Sequence, residues 1–292
     1  MITEPMLAGR CNDMKKLRYP VLATPKLDGI RCLKISGRCL SRRFKPIANH
    51  FIRNWIEQHL TDGVDGELLI NDVPFSETAG HVGRHEGEPD FVYHIFDYVR
   101  GGAADKPYEK RMQDLRELCW SEDEHRVNKV LPIQINSVAE LEKYEEDCLY
   151  AGYEGVMVRT PDSPYKFGRS TEKEGWLLKI KRFQDSEAIV LKCVEARTNM
   201  NPKKINELGR EQRSSHRANL IGKGTLGALA VRDVKTGAEF QVGGFTMALA
   251  QSIWENQGAA VGRLITYKHQ PSGAKDKPRF PTFVAFREEW DI

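Results

Sequence analysis

The sequence predicts an α+β domain followed by a small all-β barrel. In the first part, strand-like runs alternate with amphipathic helical stretches. Beyond about residue 183, five short period-two runs follow one another with a single helix among them. The chain has 292 residues, 40% hydrophobic and 29% charged, which is enough for two soluble domains with a core each.

The elements are read in chain order. Residues 21–23 and 30–35 read as two strands around a tight Asp28-Gly29 turn, and Ser36-Gly37 makes the next turn. Pro46 stands where a first helical residue is favoured. From there Ile47, Phe51, Trp55, Ile56 and Leu60 recur at helical spacing. Val64-Asp65-Gly66-Glu67 looks like a turn entering a strand that runs to Ile70, and residues 91–98 form a largely buried strand. Helices are expected over 107–120 and 137–150, the second opened by a Ser137/Glu140 capping box. Residues 155–159 and 176–181 are strands again. A boundary near 183 divides the chain into 1–183 and 184–292. In the second part, strands are expected at 188–191, 226–231, 239–242, 264–267 and 282–286, with a helix over 246–257. Five strands and a helix in this length fit a barrel of the OB type.

The composition also excludes several classes. No apolar run approaches the length of a membrane span, and the N-terminus has neither a basic region nor an apolar core like that of a secretory signal. Six cysteines are scattered without a CxxC pair, which argues against a zinc ribbon or a disulfide framework. A cytoplasmic protein with reduced thiols is expected. Net charge is +3, too small to predict a nucleic-acid partner by itself. The distribution says more: residues 198–223 hold Lys203, Lys204, Arg210, Arg213, Arg217 and Lys223 against Glu207 and Glu211, a local +4.

The chemistry concentrates in Lys26-Leu27-Asp28-Gly29-Ile30-Arg31. A free lysine has a pKa near 10.4, so only about one in a thousand is neutral at pH 7.5. A nucleophilic Lys26 therefore needs cations and partial burial around it, and Arg31, Lys179 and Lys181 are the candidates. Lys179 and Lys181 are two apart on a strand and share a face; an anion such as phosphate between them would relieve their repulsion. Glu67 and Glu154 each stand beside a glycine at a strand start. Such a carboxylate can accept from a ribose hydroxyl or serve a metal ion, although a solvated turn acid fits either alone. Phe96 fits core packing, with stacking on a purine as the functional alternative.

Taken in order, KLDGIR, LSRRFKPI, DGEL, FDY, EGVMVR and LLKIKR resemble the nucleotidyltransferase motifs of ATP-dependent DNA ligases, in their minimal viral form. The likeness runs from Pro5 to Asp291 and includes Tyr165-Lys166-Phe167-Gly168-Arg169-Ser170-Thr171 and Pro278-Arg279-Phe280-Pro281.

The resemblance implies a nucleotidyltransferase (adenylation) domain of antiparallel sheets and helices, then a C-terminal OB-fold domain. It implies nick sealing in duplex DNA through a lysyl-AMP intermediate and adenylated DNA. Lys26 would be adenylated. Arg31 and Arg42 would contact the nucleotide or the nick 5′-phosphate, Glu67 the ribose and Phe96 the adenine. Glu154 would serve metal-dependent chemistry, with Asp28 as a second candidate carboxylate for Mg²⁺ or Mn²⁺. Lys179 and Lys181 would bind the α-phosphate, and Lys166 and Arg169 the 5′-phosphate at the nick. Phe44 and Phe75 would lie in the minor groove beside the 3′-OH. Arg279 and Asp291 would orient the pyrophosphate leaving group. The basic insertion at about 198–223, with Lys203, Lys204 and Arg213, would act as a latch closing on DNA.

Thr24 is a departure, since many such ligases carry Glu there to read the adenine amino group; ATP remains the expected nucleotide. Residues 81–84 match no expected nick-contacting segment. A capping guanylyltransferase shares the lysine motif but usually carries Asp-Gly where Glu154-Gly155 stands. Nicked duplex DNA is the expected partner, with no membrane and no obligate protein partner, and the chain is expected to act as a monomer.

Overall fold

The computed structural model describes residues 2–71, 73–119, 124–205, 211–214, 216–270 and 277–287. Two compact units divide the chain, Met1–Lys181 and Arg182–Ile292.

The first unit contains two five-stranded sheets. One holds β4 (Ile30–Ile35), β5 (Arg38–Ser41), β6 (Val64–Ile70), β7 (Phe91–Tyr98) and β8 (Val127–Lys129), in the order β5-β4-β6-β7-β8. The other holds β2 (Gly9–Arg10), β3 (Val21–Pro25), β9 (Ile133–Ile135), β10 (Val156–Arg159) and β12 (Leu178–Ile180), in the order β2-β12-β10-β3-β9. A short parallel ribbon joins β1 (Met6–Leu7) to β11 (Gly168–Arg169).

Each sheet buries one face. Strand alternation puts Cys32, Leu68, Phe91, Tyr93 and Ile95 into a core with α1 (His50–His59), α2 (Phe75–Gly83) and α3 (Tyr108–Glu117), which contribute Ile52, Trp55, Val82, Met112 and Leu115 among others. In the second sheet Val21, Ala23, Val156, Val158, Leu178 and Ile180 pack with Leu141 and Cys148 of α4 (Val138–Tyr150). Alternation therefore assigns Arg31, Glu67 and Phe96 in one sheet, and Thr24, Lys179 and Lys181 beside the other, to the faces opposite these cores.

Four local expectations are corrected. The two strands flanking Asp28-Gly29 form no hairpin, because β3 and β4 belong to different sheets. The motif is a crossing between them. Lys26 N–H donates to the Gly155 carbonyl at 2.8 Å and Glu154 N–H to the Lys26 carbonyl at 3.1 Å, which continues the β3–β10 pairing past Pro25. Gly29 serves a close approach, since a Cβ there would lie 2.3 Å from the Leu68 carbonyl oxygen. The first helix begins after Pro46: Pro46 bridges to Leu40, and the Asn49 side chain caps α1 by accepting from Ile52 N–H at 2.9 Å. Asp65-Gly66 is strand interior within β6, where Asp65 is fully buried. The Ser137 cap of α4 is present, but Glu140 accepts from Asn136 N–H at 2.9 Å, one residue further back than a capping box.

Asp97 on β7 binds one charge from a helix and one from the other sheet. Arg111 of α3 donates to it through Nε at 2.7 Å and Nη2 at 3.1 Å, and Arg159 of β10 pairs with its second oxygen. Burial alone would raise the Asp97 carboxyl, but the two guanidinium groups hold it down at about 2. This node joins the two sheets through fully buried charges.

In the second unit one sheet runs in the order β17-β16-β13-β18-β19. Its strands are β13 (Gln184–Asn199), β16 (Leu220–Asp233), β17 (Glu239–Val242), β18 (Leu264–Gln270) and β19 (Arg279–Phe286). The two edge strands meet where Phe283 N–H donates to the Gly243 carbonyl at 2.8 Å, so the sheet curls as an OB-type barrel requires. The core holds Val190, Leu229, Val231, Ile265 and Tyr267 with Ala250 and Ile253 of α5 (Met247–Glu255) and Ala260 of α6 (Gln257–Ala260). The first two barrel strands are much longer than their apolar runs suggest: they stay paired out to Asn199 and Leu220, with bulges along the way. Between their ends lies a small hairpin of β14 (Lys203–Ile205) and β15 (Glu211–Arg213).

Replacing Asp97 with Asn leaves two buried guanidinium groups with a neutral partner. Asp97→Asn should lower unfolding free energy by about 3–5 kcal/mol, read from urea melts at neutral pH. A change below about 1 kcal/mol would mean that the node contributes little.

Candidate active site

The crossing between the sheets carries Lys26. Its Nζ pairs with Oε2 of Glu154, while Lys181 Nζ pairs with Oε1 of the same carboxylate. The Glu154 side chain is 4% exposed and the two lysines 19% and 15%, so this triplet is sheltered well beyond an ordinary surface ion pair. Gly155 makes the geometry possible: its φ is 144°, and a Cβ would lie 2.2 Å from the Ile180 carbonyl oxygen. The strand carrying Lys179 and Lys181 can therefore run directly beside Glu154.

Lys179 is half-buried. Burial lowers its pKa, and the charges of Lys26, Arg169, Arg42 and Arg10 lower it further. The charges that act on it most strongly are all positive, which is the field of an anion site. Arg42 is exposed; burial, Arg169, Arg31 and Arg43 lower it, while Glu67 opposes them.

On the other sheet Arg31 and Glu67 are cross-strand partners. Arg31 makes a bidentate pair with buried Asp65, Nε and Nη2 each at 2.5 Å, and its guanidinium lies 4.7 Å from the centre of the Phe96 ring. Tyr165 O–H donates to Asp65 at 2.6 Å, and Arg31 also donates to the Met6 carbonyl at 3.2 Å. Burial would lower the Arg31 pKa, but Asp65 holds it up. Burial pushes Glu67 up to about 7, against the opposing charges of Arg31 and Lys26 and a hydrogen bond from the Gly29 backbone. Phe96 is half-buried on the face away from the main core, with Arg31 over its ring; it is not among that core's residues.

Lys26, Arg31, Arg42, Glu67, Glu154, Arg169, Lys179 and Lys181 thus form one electrostatically coupled group. Thr24 is buried on β3, in register with Met157. Asp28 lies in the crossing, half-buried. Among the described residues no cluster of three or more His, Cys, Asp or Glu could hold a metal ion by itself.

The remaining expected residues lie further out. Lys166 is held by both oxygens of Glu174 at 2.6 and 2.8 Å. Arg169 donates to the Ala8 carbonyl at 2.6 Å. Phe44, with a left-handed φ of 55°, packs against the small cluster around Met6 and Tyr165. Phe75 opens α2, a helix the sequence reading did not contain. In the second unit Lys203 stands opposite Arg213 and Lys204 opposite Gln212. Arg279 begins β19, 5.2 Å from the Phe280 ring. Asp291 lies outside the described residues, as do residues 206–210 of the insertion.

Sequence reasoning missed Asp65, Arg111, Arg159 and Arg10. A signal existed for the first: Asp65 stands at period two from Glu67 on a strand, so it shares that residue's face.

Comparisons with known proteins agree on what this arrangement is. Residues 5–181 match the family of the ATP-dependent DNA ligase domain, and residues 222–287 the DNA ligase OB-like domain. The structure of a chlorella virus DNA ligase-adenylate is 33% identical, covers 99% of each chain and superposes with a TM-score of 0.57. A Lig E DNA ligase structure, 24% identical over 98% of this chain and all of that one, shares the fold with a TM-score of 0.77. The DNA ligase of African swine fever virus (strain Badajoz 1971 Vero-adapted) is 26% identical over 129 residues, 44% of this chain and 31% of that protein. The DNA ligase of Archaeoglobus fulgidus is 29% identical over 167 residues, 52% of this chain and 29% of that protein. The matches span under a third of the length of these two curated relatives. The family match takes in more than half of the chain, which therefore belongs to the ATP-dependent DNA ligases.

Proposed function

We propose that this chain seals 3′-OH/5′-phosphate nicks in duplex DNA with ATP, through AMP carried on Lys26. The observation that carries the reading is the sheltered Lys26–Glu154–Lys181 triplet at the crossing of two sheets. In the first step the Lys26 amine bonds to the α-phosphorus of ATP and pyrophosphate leaves. In the second, AMP passes to the nick 5′-phosphate. In the third, the 3′-OH attacks and AMP departs. Positioning and charge stabilisation do most of the catalysis in such transfers.

The roles are those that the resemblance implies for these positions. Lys179 and Lys181 receive the α-phosphate. Glu67 accepts from the ribose, Phe96 stacks on the adenine, and Thr24 lies on the strand leading to Lys26. Arg31, fixed by Asp65, presents its charge beside Phe96, while Arg42, Lys166 and Arg169 face the 5′-phosphate of the nick. Phe44 and Phe75 meet the minor groove beside the 3′-OH. Arg279 and Asp291 orient the leaving pyrophosphate.

Mg²⁺ or Mn²⁺ fits as an ion held by Glu154, with Asp28 as second candidate, and otherwise by phosphate and water, the oxygen donors such a hard cation takes. When bound, it would neutralise phosphate charge. Lys203 and Arg213 stand opposite each other on the β14–β15 hairpin, and this concentration of cations, with Lys204, supports a latch role for the hairpin on the DNA backbone. One chain holds every proposed group, which supports action as a monomer. Among the described residues no helix is long and apolar enough to cross a membrane.

Lys26→Ala should abolish labelling of the protein by α-labelled ATP while part of the joining of a pre-adenylated nick survives. Undiminished labelling of the variant would overturn the assignment of Lys26.

Glu67 supplies a pH test. Its carboxyl titrates near 4.5 without the fold and at about 7 within it. Between those values the folded chain keeps a proton that the unfolded chain has released, so stability declines as pH rises through this window. Glu67→Gln should therefore raise Tm by about 2 °C or more at pH 8 and give no gain at pH 4. Equal shifts at both pH values would show that no buried charge is involved.

A further inference from the structure

Arg10 has no role in the reading above, yet it lies beside the phosphate-binding lysines. On β2 it is in register with Lys179 of β12, and Cys11 N–H donates to the Lys179 carbonyl at 3.1 Å. Residues directly opposite on paired strands point to the same face. Leu178 and Ile180 face the core of α4, with Cys11 packed against that core from β2's side. Arg10 therefore shares the outward face of Lys179, and it is exposed.

The same N-terminal ribbon also holds Arg169. Met6 and Leu7 pair with Gly168 and Arg169, and Arg169 donates to the Ala8 carbonyl at 2.6 Å. Within five residues, the ribbon thus runs from the backbone of one proposed phosphate ligand to the backbone of another. Arg10 and Arg169 both act electrostatically on Lys179, in the same direction. Arg10, Lys179 and Arg169 together make a positive field along this stretch of backbone, and two phosphates brought side by side are the anions such a field attracts.

We infer that Arg10 binds the paired phosphates formed when AMP moves from Lys26 to the nick, bridging the sites of Lys179 and Arg169. This rests on the ligase reading. In that step an oxygen of the nick 5′-phosphate bonds to the α-phosphorus and the bond from Lys26 Nζ to phosphorus breaks. The electron pair stays on the lysine nitrogen, which takes up a proton. Negative charge from both phosphates gathers at one place only in this step and in the adenylated DNA that follows. A guanidinium there is suited to two adjacent phosphate oxygens.

The test uses the full-length protein, first loaded with AMP and then mixed with a nicked duplex in single turnover. Arg10→Ala should slow AMP transfer to the 5′-phosphate by about tenfold or more, the usual scale of a lost charged hydrogen bond. It should slow self-adenylation by less than about threefold, and it should lessen the preference for a 5′-phosphate nick over a 5′-hydroxyl nick in binding. Arg10→Lys should restore part of the transfer rate, which a merely structural role for Arg10 would not predict. Equal slowing of self-adenylation and transfer, or wild-type transfer with an unchanged phosphate preference, would overturn the role of Arg10. Failure of the wild-type protein to accept AMP at all would instead overturn the ligase reading.

Discussion

Two backbone hydrogen bonds, between Lys26 and the Glu154–Gly155 pair, fix the point at which the chain leaves one sheet for the other. The site is arranged about that point. Because Lys26 continues the pairing of β3 with β10, its side chain emerges beside Glu154 rather than on a free turn. Because Gly155 has no side chain, β12 can approach until Lys181 reaches the same carboxylate. One acid thereby organises two cations, and sheltering makes that arrangement far more definite than a surface ion pair would be.

The two sheets share a plan. Each packs one face against its own helices and leaves the other for polar work, so the alternation that builds the cores also sorts the reactive groups. Buried charge then ties the sheets together. Asp97 collects Arg111 and Arg159, and Asp65 collects Arg31 and Tyr165. Such nodes are costly to desolvate, but each links elements that are distant in sequence. Asp65 also holds Arg31 where its guanidinium covers Phe96, so a residue of the proposed nucleotide face is positioned by one that never reaches it.

Much of this was legible in the sequence. The order of the motifs identified the family, and the largely apolar run at 91–98 located β7 correctly. The strand assignment of Lys179 and Lys181 put both on one face, where the structure has them near Lys26 and Glu154. The errors have physical causes. Asp28-Gly29 carries the signal of a reversing turn, but the glycine is there because β6 passes too close for a side chain. Asp65-Gly66 sends the same false signal from inside a strand, since only tertiary partners make a buried aspartate tolerable. Pro46 suits a helix start, yet Asn49 offers a side-chain cap and takes the role. The long barrel strands were underestimated because their outer parts extend beyond the apolar core. Arg10 carried no local signal at all; only its register with Lys179 reveals it.

The central claim is that Lys26 is the residue that carries AMP. The direct measurement is to incubate the wild-type protein with ATP and Mg²⁺, digest it, and locate the added AMP by mass spectrometry under conditions that preserve phosphoramidate bonds. The account predicts a single AMP on the peptide containing Lys26, attached at that lysine. AMP found instead on Lys179 or Lys181, or on no lysine, would contradict it.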